Sequence, residues 1–268
     1  MKHIGTQFVD GFSLALRSLI FLFKNPLFLI GSITLLLIPT GVSAALQVLL
    51  ISTRSLSNYS EFVVALINLF LSFIAIFIIA SGVDNKLHHR PYTFLPHLKL
   101  ALKKIVPIIV VALIWGVIAL IWGVIILRFS AAFLKKESTI LNGLVITILL
   151  THASLFNANI IHTNKILEII KRSLYLRYHN LWQFVGGTIG TCLITIIPSL
   201  ALFKIMEFIR KMVQAYLMTN NQYKSIPTMI FWALQATFFV VTTWIIIALC
   251  TITVFGVMFY QHSAQKRS

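Results

Sequence analysis

Six long apolar blocks, at residues 27–51, 62–83, 105–127, 139–161, 185–203 and 229–260, fill most of the chain and hold no Asp, Glu, Lys or Arg. Each is of the order of the ~20 apolar residues that a helix needs to cross about 30 Å of hydrocarbon. Water-soluble folds do not carry six such segments in 268 residues. The expected fold is all-α: a polytopic helical membrane protein with six transmembrane helices, residues 1–268 forming a single integral membrane domain. The stretches outside the blocks are too short for an independent soluble domain.

Three of the connecting segments have a different pattern. Before block one, Ile4, Phe8, Phe12, Ala15, Leu16, Leu19, Ile20 and Phe23 recur at helical spacing, opposite His3, Gln7, Asp10, Ser13, Arg17 and Lys24. Asn25-Pro26 then breaks the helix as the chain turns into the bilayer. Before block three, Leu95, Leu98, Leu102 and Ile105 share one face, with Lys99 and Lys103 on another. Before block five, Ile166, Ile169, Ile170, Leu174, Tyr178 and Leu181 oppose Lys165, Glu168, Lys171 and Arg172. Helices of this kind lie in the headgroup plane with Lys and Arg stems snorkelling outward. The expected unit, used three times, is an amphipathic interfacial helix followed by a transmembrane hairpin, without residue-by-residue identity between the three. A fourth amphipathic stretch sets Ile205, Phe208, Ile209, Met212, Val213 and Tyr216 against Lys204, Glu207, Lys211 and Gln214. It lies on the opposite surface or continues block five as an overlong helix, until Asn220-Asn221 and Pro227 end it. Block six, about 48 Å long at 1.5 Å per residue, must tilt or project beyond the hydrocarbon.

Composition agrees: 59% of residues are hydrophobic and the mean hydropathy is +0.94. The net charge of +16 comes from 22 basic and 6 acidic residues, with the basic ones beside the ends of the blocks. That placement suits contact with anionic headgroups and accounts for the high pI without a nucleic-acid partner. Loop charge also sets orientation. Fourteen basic residues fall on one side: Lys2, Arg17 and Lys24, then Lys86, Arg90, Lys99, Lys103 and Lys104, then Lys165, Lys171, Arg172 and Arg177, then Lys266 and Arg267. Eight fall on the other: Arg54, then Arg128, Lys135 and Lys136, then Lys204, Arg210, Lys211 and Lys224. Both termini are expected to be cytoplasmic. No cleavable signal peptide is expected, because the first apolar run begins only at Leu27 and is long enough to span.

Candidate chemistry is sparse. Block four is the most polar, with Thr147, Thr151, His152, Ser154, Asn157 and Asn159, and His162 at its end. Such residues act as interhelical hydrogen-bond glue or mark a pathway. A pathway through this chain would run beside block four, past His152, Asn157 and Asn159. Gly186 and Gly190 form a GxxxG pair, a helix-packing face that could serve a membrane-protein partner or a second copy. Trp115-Gly116 and Trp122-Gly123 repeat at seven residues as a second packing stripe, and Pro39, Pro107 and Pro198 read as kinks, one per unit. Cys192 and Cys250 sit within blocks as packing residues. His88, His89 and His97 lack companion ligands at metal spacing. No catalytic residue, cofactor site or metal site is expected. The interfacial candidates Asp84, His88, His89 and Glu168 are not placed together by anything in the sequence.

Two stretches, Ala15-Leu16-Arg17…Phe23-Lys24-Asn25-Pro26-Leu27 and Ile169-Ile170-Lys171-Arg172-Ser173-Leu174, resemble the helices that enter spans in bacterial six-span inner-membrane families of the YciC-like and glycerophosphodiesterase-membrane-domain kind. The resemblance covers the architecture of most of the chain. It implies an inner-membrane protein without naming a substrate, and the phosphodiesterase domain of some members is absent here. The function expected first is that of a non-enzymatic membrane-organising or accessory protein, with the anionic bilayer surface as partner. The alternative is a small permease for a neutral or lipidic cargo, and an intramembrane enzyme ranks third.

Overall fold

The computed structural model describes residues 4–52, 58–90, 92–133, 138–220 and 228–265, with most side chains of 122–146 and 213–238 outside that description. Lys2, His3, Arg54, Lys135, Lys136, Asn221, Lys224, Pro227, Lys266 and Arg267 lie outside the described residues, as do the side chains of Trp122, Arg128, Arg210, Val213, Gln214 and Tyr216. The described residues form helices: α1 (Ile4–Lys24), α2 (Pro26–Ser52), α3 (Asn58–Leu87), α4 (Phe94–Lys103), α5 (Ile105–Phe133), α6 (Ser138–His162), α7 (Ile166–His179), α8 (Leu181–Asn220) and α9 (Thr228–Gln265). Five of them are long and apolar enough to cross a membrane over their described residues: α1, α2, α3, α8 and α9. The pair α4–α5, bent by 74°, would make a sixth. This fits an integral membrane protein. It departs from expectation at α1, which meets the length and composition of a span although its pattern reads as interfacial.

The bundle is a closed ring with a threefold plan. α3, α6 and α9 contact one another pairwise and form an inner triangle. Each outer helix sits in a groove of that triangle: α2 between α3 and α9, α5 between α3 and α6, α8 between α6 and α9. From Cys250 to Val257 every residue of α9 is buried, as suits a central helix that is apolar on all sides. The outer helices expose apolar stripes instead, Leu113, Val117 and Ile121 on α5 and Ile189, Leu193 and Ile197 on α8. An apolar outside around an interior that holds Asn157, Asn159, Thr191 and Thr251 is the arrangement expected when the solvent is lipid.

The three short helices α1, α4 and α7 gather at one end. There Phe28 of α2 meets Gly82 of α3, Phe184 of α8 meets Phe259 of α9, and His162 of α6 stacks on Tyr260 of α9. Each short helix joins its long successor through a single non-helical residue, Asn25, Lys104 or Asn180. The junction N–H donates back to Leu22, to Leu100 and Ala101, or to Leu176, and the junction carbonyl accepts from Leu29, Ile108 or Phe184. Those bonds satisfy groups that helix ends otherwise leave open. Seven residues before each junction stands a buried polar side chain: Ser18, His97 and Ser173. Each touches the inner helix of the preceding unit around the ring, at Met258, at Ser81 and Asn85, and at Asn159 respectively.

The prolines do not follow this plan. Pro39, Pro107 and Pro198 fall fourteen residues after Asn25, three after Lys104 and eighteen after Asn180. Pro107 lies in the first turn of α5, where no intrahelical hydrogen bond is lost, so it starts a helix and does not kink one. Pro39 and Pro198 are inside α2 and α8. α8 runs unbroken to Asn220, so the fourth amphipathic stretch continues span five.

Candidate functional site

Two features at the short-helix end draw on side chains from several elements: a collar made by α1, α4 and α7, and a polar node where the inner triangle ends.

Each collar helix has three sectors. The buried stripes are Gly11, Ala15, Ser18 and Leu22 on α1, His97 and Ala101 on α4, and Ile169, Ser173 and Leu176 on α7. At 100° per residue, an exposed apolar sector lies about 110–150° further round. It holds Phe12, Leu16 and Phe23, then Leu95 and Leu102, then Leu167, Leu174 and Tyr178. A polar sector follows at about 200–250° in the same rotational sense. It holds Arg17 and Lys24, then Lys99 and Lys103, then Glu168, Lys171 and His179, all exposed.

The stripe of α1 docks on α8 at backbone distance. A side chain at Gly186 would strike the Phe8 carbonyl, one at Gly187 the Phe255 ring, and one at Gly190 the Ala15 methyl; at Gly11 it would strike the Gln183 carbonyl. The small-residue face is thus filled from within the chain. It is not a free surface for a partner.

The node takes one residue from each inner helix. Helix α3 continues a turn past the expected end of block two and carries Asp84 into the bundle. Its Oδ1 accepts from Gln261 Nε2 at 2.7 Å and lies 3.8 Å from His162 Nε2 and 3.9 Å from His88 Nδ1. The His162 ring stacks on Tyr260 with centroids 4.8 Å apart, and the Arg172 guanidinium lies 5.1 Å from the centre of the same Tyr260 ring. A cavity of about 250 Å³ opens between Asp84, His88, His162, Arg172 and Gln261. Beside it, Lys104 Nζ donates to the carbonyls of Ile160 and Ile161, at 2.8 and 3.2 Å. Among the described residues no group of His, Cys, Asp and Glu is arranged to hold a metal.

Burial holds the His162 imidazole below its ordinary pKa; Asp84 opposes this, while Arg172, Lys104 and His88 add to it. As pH falls from about 6.5, the unfolded chain therefore takes up the proton first, and the folded state loses stability down to the lowered value. Melting in lipid nanodiscs should show a lower melting temperature at pH 5.5 than at pH 8. His162→Phe, which keeps the stack on Tyr260, should flatten that slope. An unchanged slope would place the titration elsewhere.

The remaining sequence candidates are distributed. His152 and Asn159 share a face of α6, as their spacing implies, but each is already engaged. His152 Nδ1 bonds the Ile148 carbonyl and its ring packs on Phe184. Asn159 Nδ2 donates to Leu155 O and to Ser173 Oγ. Asn157 points elsewhere and is fully buried, and neither amide atom has a protein hydrogen-bond partner. The three are not brought to one lumen. The histidines of the α3–α4 connection and of α4 separate as well. His89, at φ 57°, ends α3 in a left-handed turn closed by Arg90 N–H to the Asn85 carbonyl. His97 is held between Ser81 and Asn85; because the Ser81 hydroxyl donates to Ile78 O, His97 Nδ1 is the donor to Ser81 Oγ. Asp84 and His88, which the sequence did not place together, do meet.

Comparison of the chain with protein-family models, with curated protein sequences and with solved structures gave no match.

Proposed function

We propose that this is a non-enzymatic, membrane-organising protein of the bacterial inner membrane, whose collar of three amphipathic helices lies in the cytoplasmic headgroup layer and gathers anionic lipid. The observation that carries the reading is the repeated three-sector design. One sector packs on the bundle, the next offers apolar side chains for acyl chains, and the third offers cations for headgroups. A helix standing upright in hydrocarbon would have no use for a separate charged sector. The loop-charge bias, fourteen against eight, supports placing the collar and both termini on the cytoplasmic side. Six spans then follow from α2, α3, α5, α6, α8 and α9, with α1 lying flat.

Quenching from known depths tests this directly. Labels at Val9→Cys and Phe23→Cys should report equal depth if α1 lies flat, and depths differing by up to about 21 Å if it crosses upright. The second measurement is enrichment of a fluorescent anionic lipid around the protein in vesicles; a uniform distribution would remove the organising role. A permease for a neutral or lipidic cargo is the second reading, favoured by the fully buried Asn157 amide. It would displace the first if vesicles showed cargo flux that Asn157→Ala or His152→Ala abolished without loss of fold.

A further inference from the structure

A surface depression of about 670 Å³ runs along the polar sector of α7, lined by Lys165, Leu167, Glu168, Lys171, Arg172 and Tyr175. We infer that this depression is a discrete site for one anionic phospholipid, its phosphate held among Lys165, Lys171 and Arg172 and its acyl chains laid along Leu167, Leu174 and Tyr178. The inference rests on the interfacial placement of α7 argued above, and adds to it a stoichiometric ligand and an address.

Charge complementarity selects the occupant. Three cations face a single carboxylate, Glu168, and that carboxylate already accepts a hydrogen bond from Thr163 Oγ1 at 3.1 Å. Lys165 and Lys171 are exposed and form no ion pair with a described residue, so their charge is uncommitted within the protein. Arg172 is held over Tyr260, which fixes one wall of the depression without neutralising it. The amphiphilic character of the ligand comes from the neighbouring sector. At 100° per residue Lys171 stands next to Tyr178 and Leu174, at the border where the polar sector gives way to exposed apolar side chains. A free phosphate compound would use the cations and leave that apolar border idle; a phospholipid uses both.

The test is native mass spectrometry of the whole protein released from nanodiscs that contain zwitterionic lipid with a one-tenth share of phosphatidylglycerol. Wild type should retain one equivalent of the anionic lipid. Lys165→Gln with Lys171→Gln should reduce retention about tenfold, the equivalent of 1.4 kcal/mol. Lys99→Gln with Lys103→Gln on α4 removes the same charge and should leave retention unchanged. Equal losses in both double variants would reduce the effect to diffuse attraction and overturn the site, as would the absence of any retained lipid in wild type. Displacement by soluble glycerol phosphate at equal concentration would overturn the lipid as occupant. Both variants change exposed side chains without described partners, and equal melting temperatures verify their fold. Failure here leaves the depth result for α1 untouched, so the two readings stand or fall separately.

Discussion

Gly186→Leu should detach α1 from the bundle and cost about 3 kcal/mol of stability, at the upper end for overpacking a close-packed contact. The reason is that the atom in the way is backbone. A Cβ at Gly186 meets the carbonyl of Phe8, which cannot rotate aside as the end of a flexible side chain could. Gly11→Leu meets the Gln183 carbonyl from the opposite side of the same contact and should cost as much. Both break one interface, so the double variant should be little worse than either single one, well short of the sum. Thermal unfolding in nanodiscs measures the loss, and thiol labelling at Ala15→Cys, buried in the intact protein, reads the detachment. Additive losses in the double variant would show that the two glycines serve different contacts.

Lys104→Met should have the second largest effect, again about 3 kcal/mol. The ammonium serves the last carbonyls of α6, which have no intrahelical partner, at the end where a cation suits the helix dipole. Hydrogen bonds to a charged group contribute about 1.5–3 kcal/mol, and removing the donor leaves both carbonyls short of it. Methionine retains the apolar stem, so the change isolates the charge. Lys104 is also the junction residue between α4 and α5, but its junction bonds are made by the backbone and should survive. Hydrogen exchange confined to Asn159–His162, with α4 and α5 unaffected, would separate capping from junction; a loss spread over α4 would assign Lys104 to the junction instead.

The long helices were legible because hydrocarbon admits no interruption: a run without charges has to be continuous to be tolerated. Where they stop was less so. Asp84 is the first residue past the apolar block, and nothing before the His89 turn forces α3 to end. The node could not be read at all, because Asp84, His162 and Gln261 come from three helices whose neighbours are set by the ring. The docking of α1 left a signal that could have been used. Gly11 and Ala15 are spaced like Gly186 and Gly190, two small-residue pairs of matching pitch, one of them on the face opposite the exposed sectors of an amphipathic helix. The face shared by His152 and Asn159 was legible from spacing. That each is engaged by a neighbouring helix depends on packing and was not.

The contact between α1 and the last two helices has a consequence for biosynthesis. Ser18 and Met258 touch across 240 positions of sequence, and Gly11 rests on Gln183 and Gly187. Among the described helices α1 is translated before α8 and α9, so its seat exists only once those two have been inserted. On the interfacial placement proposed above, its exposed apolar and charged sectors would hold it in the headgroup layer meanwhile, with only the Gly11–Leu22 stripe uncommitted. Docking of α1 then follows insertion of α8 and α9, so an early helix reports that two later ones are in place.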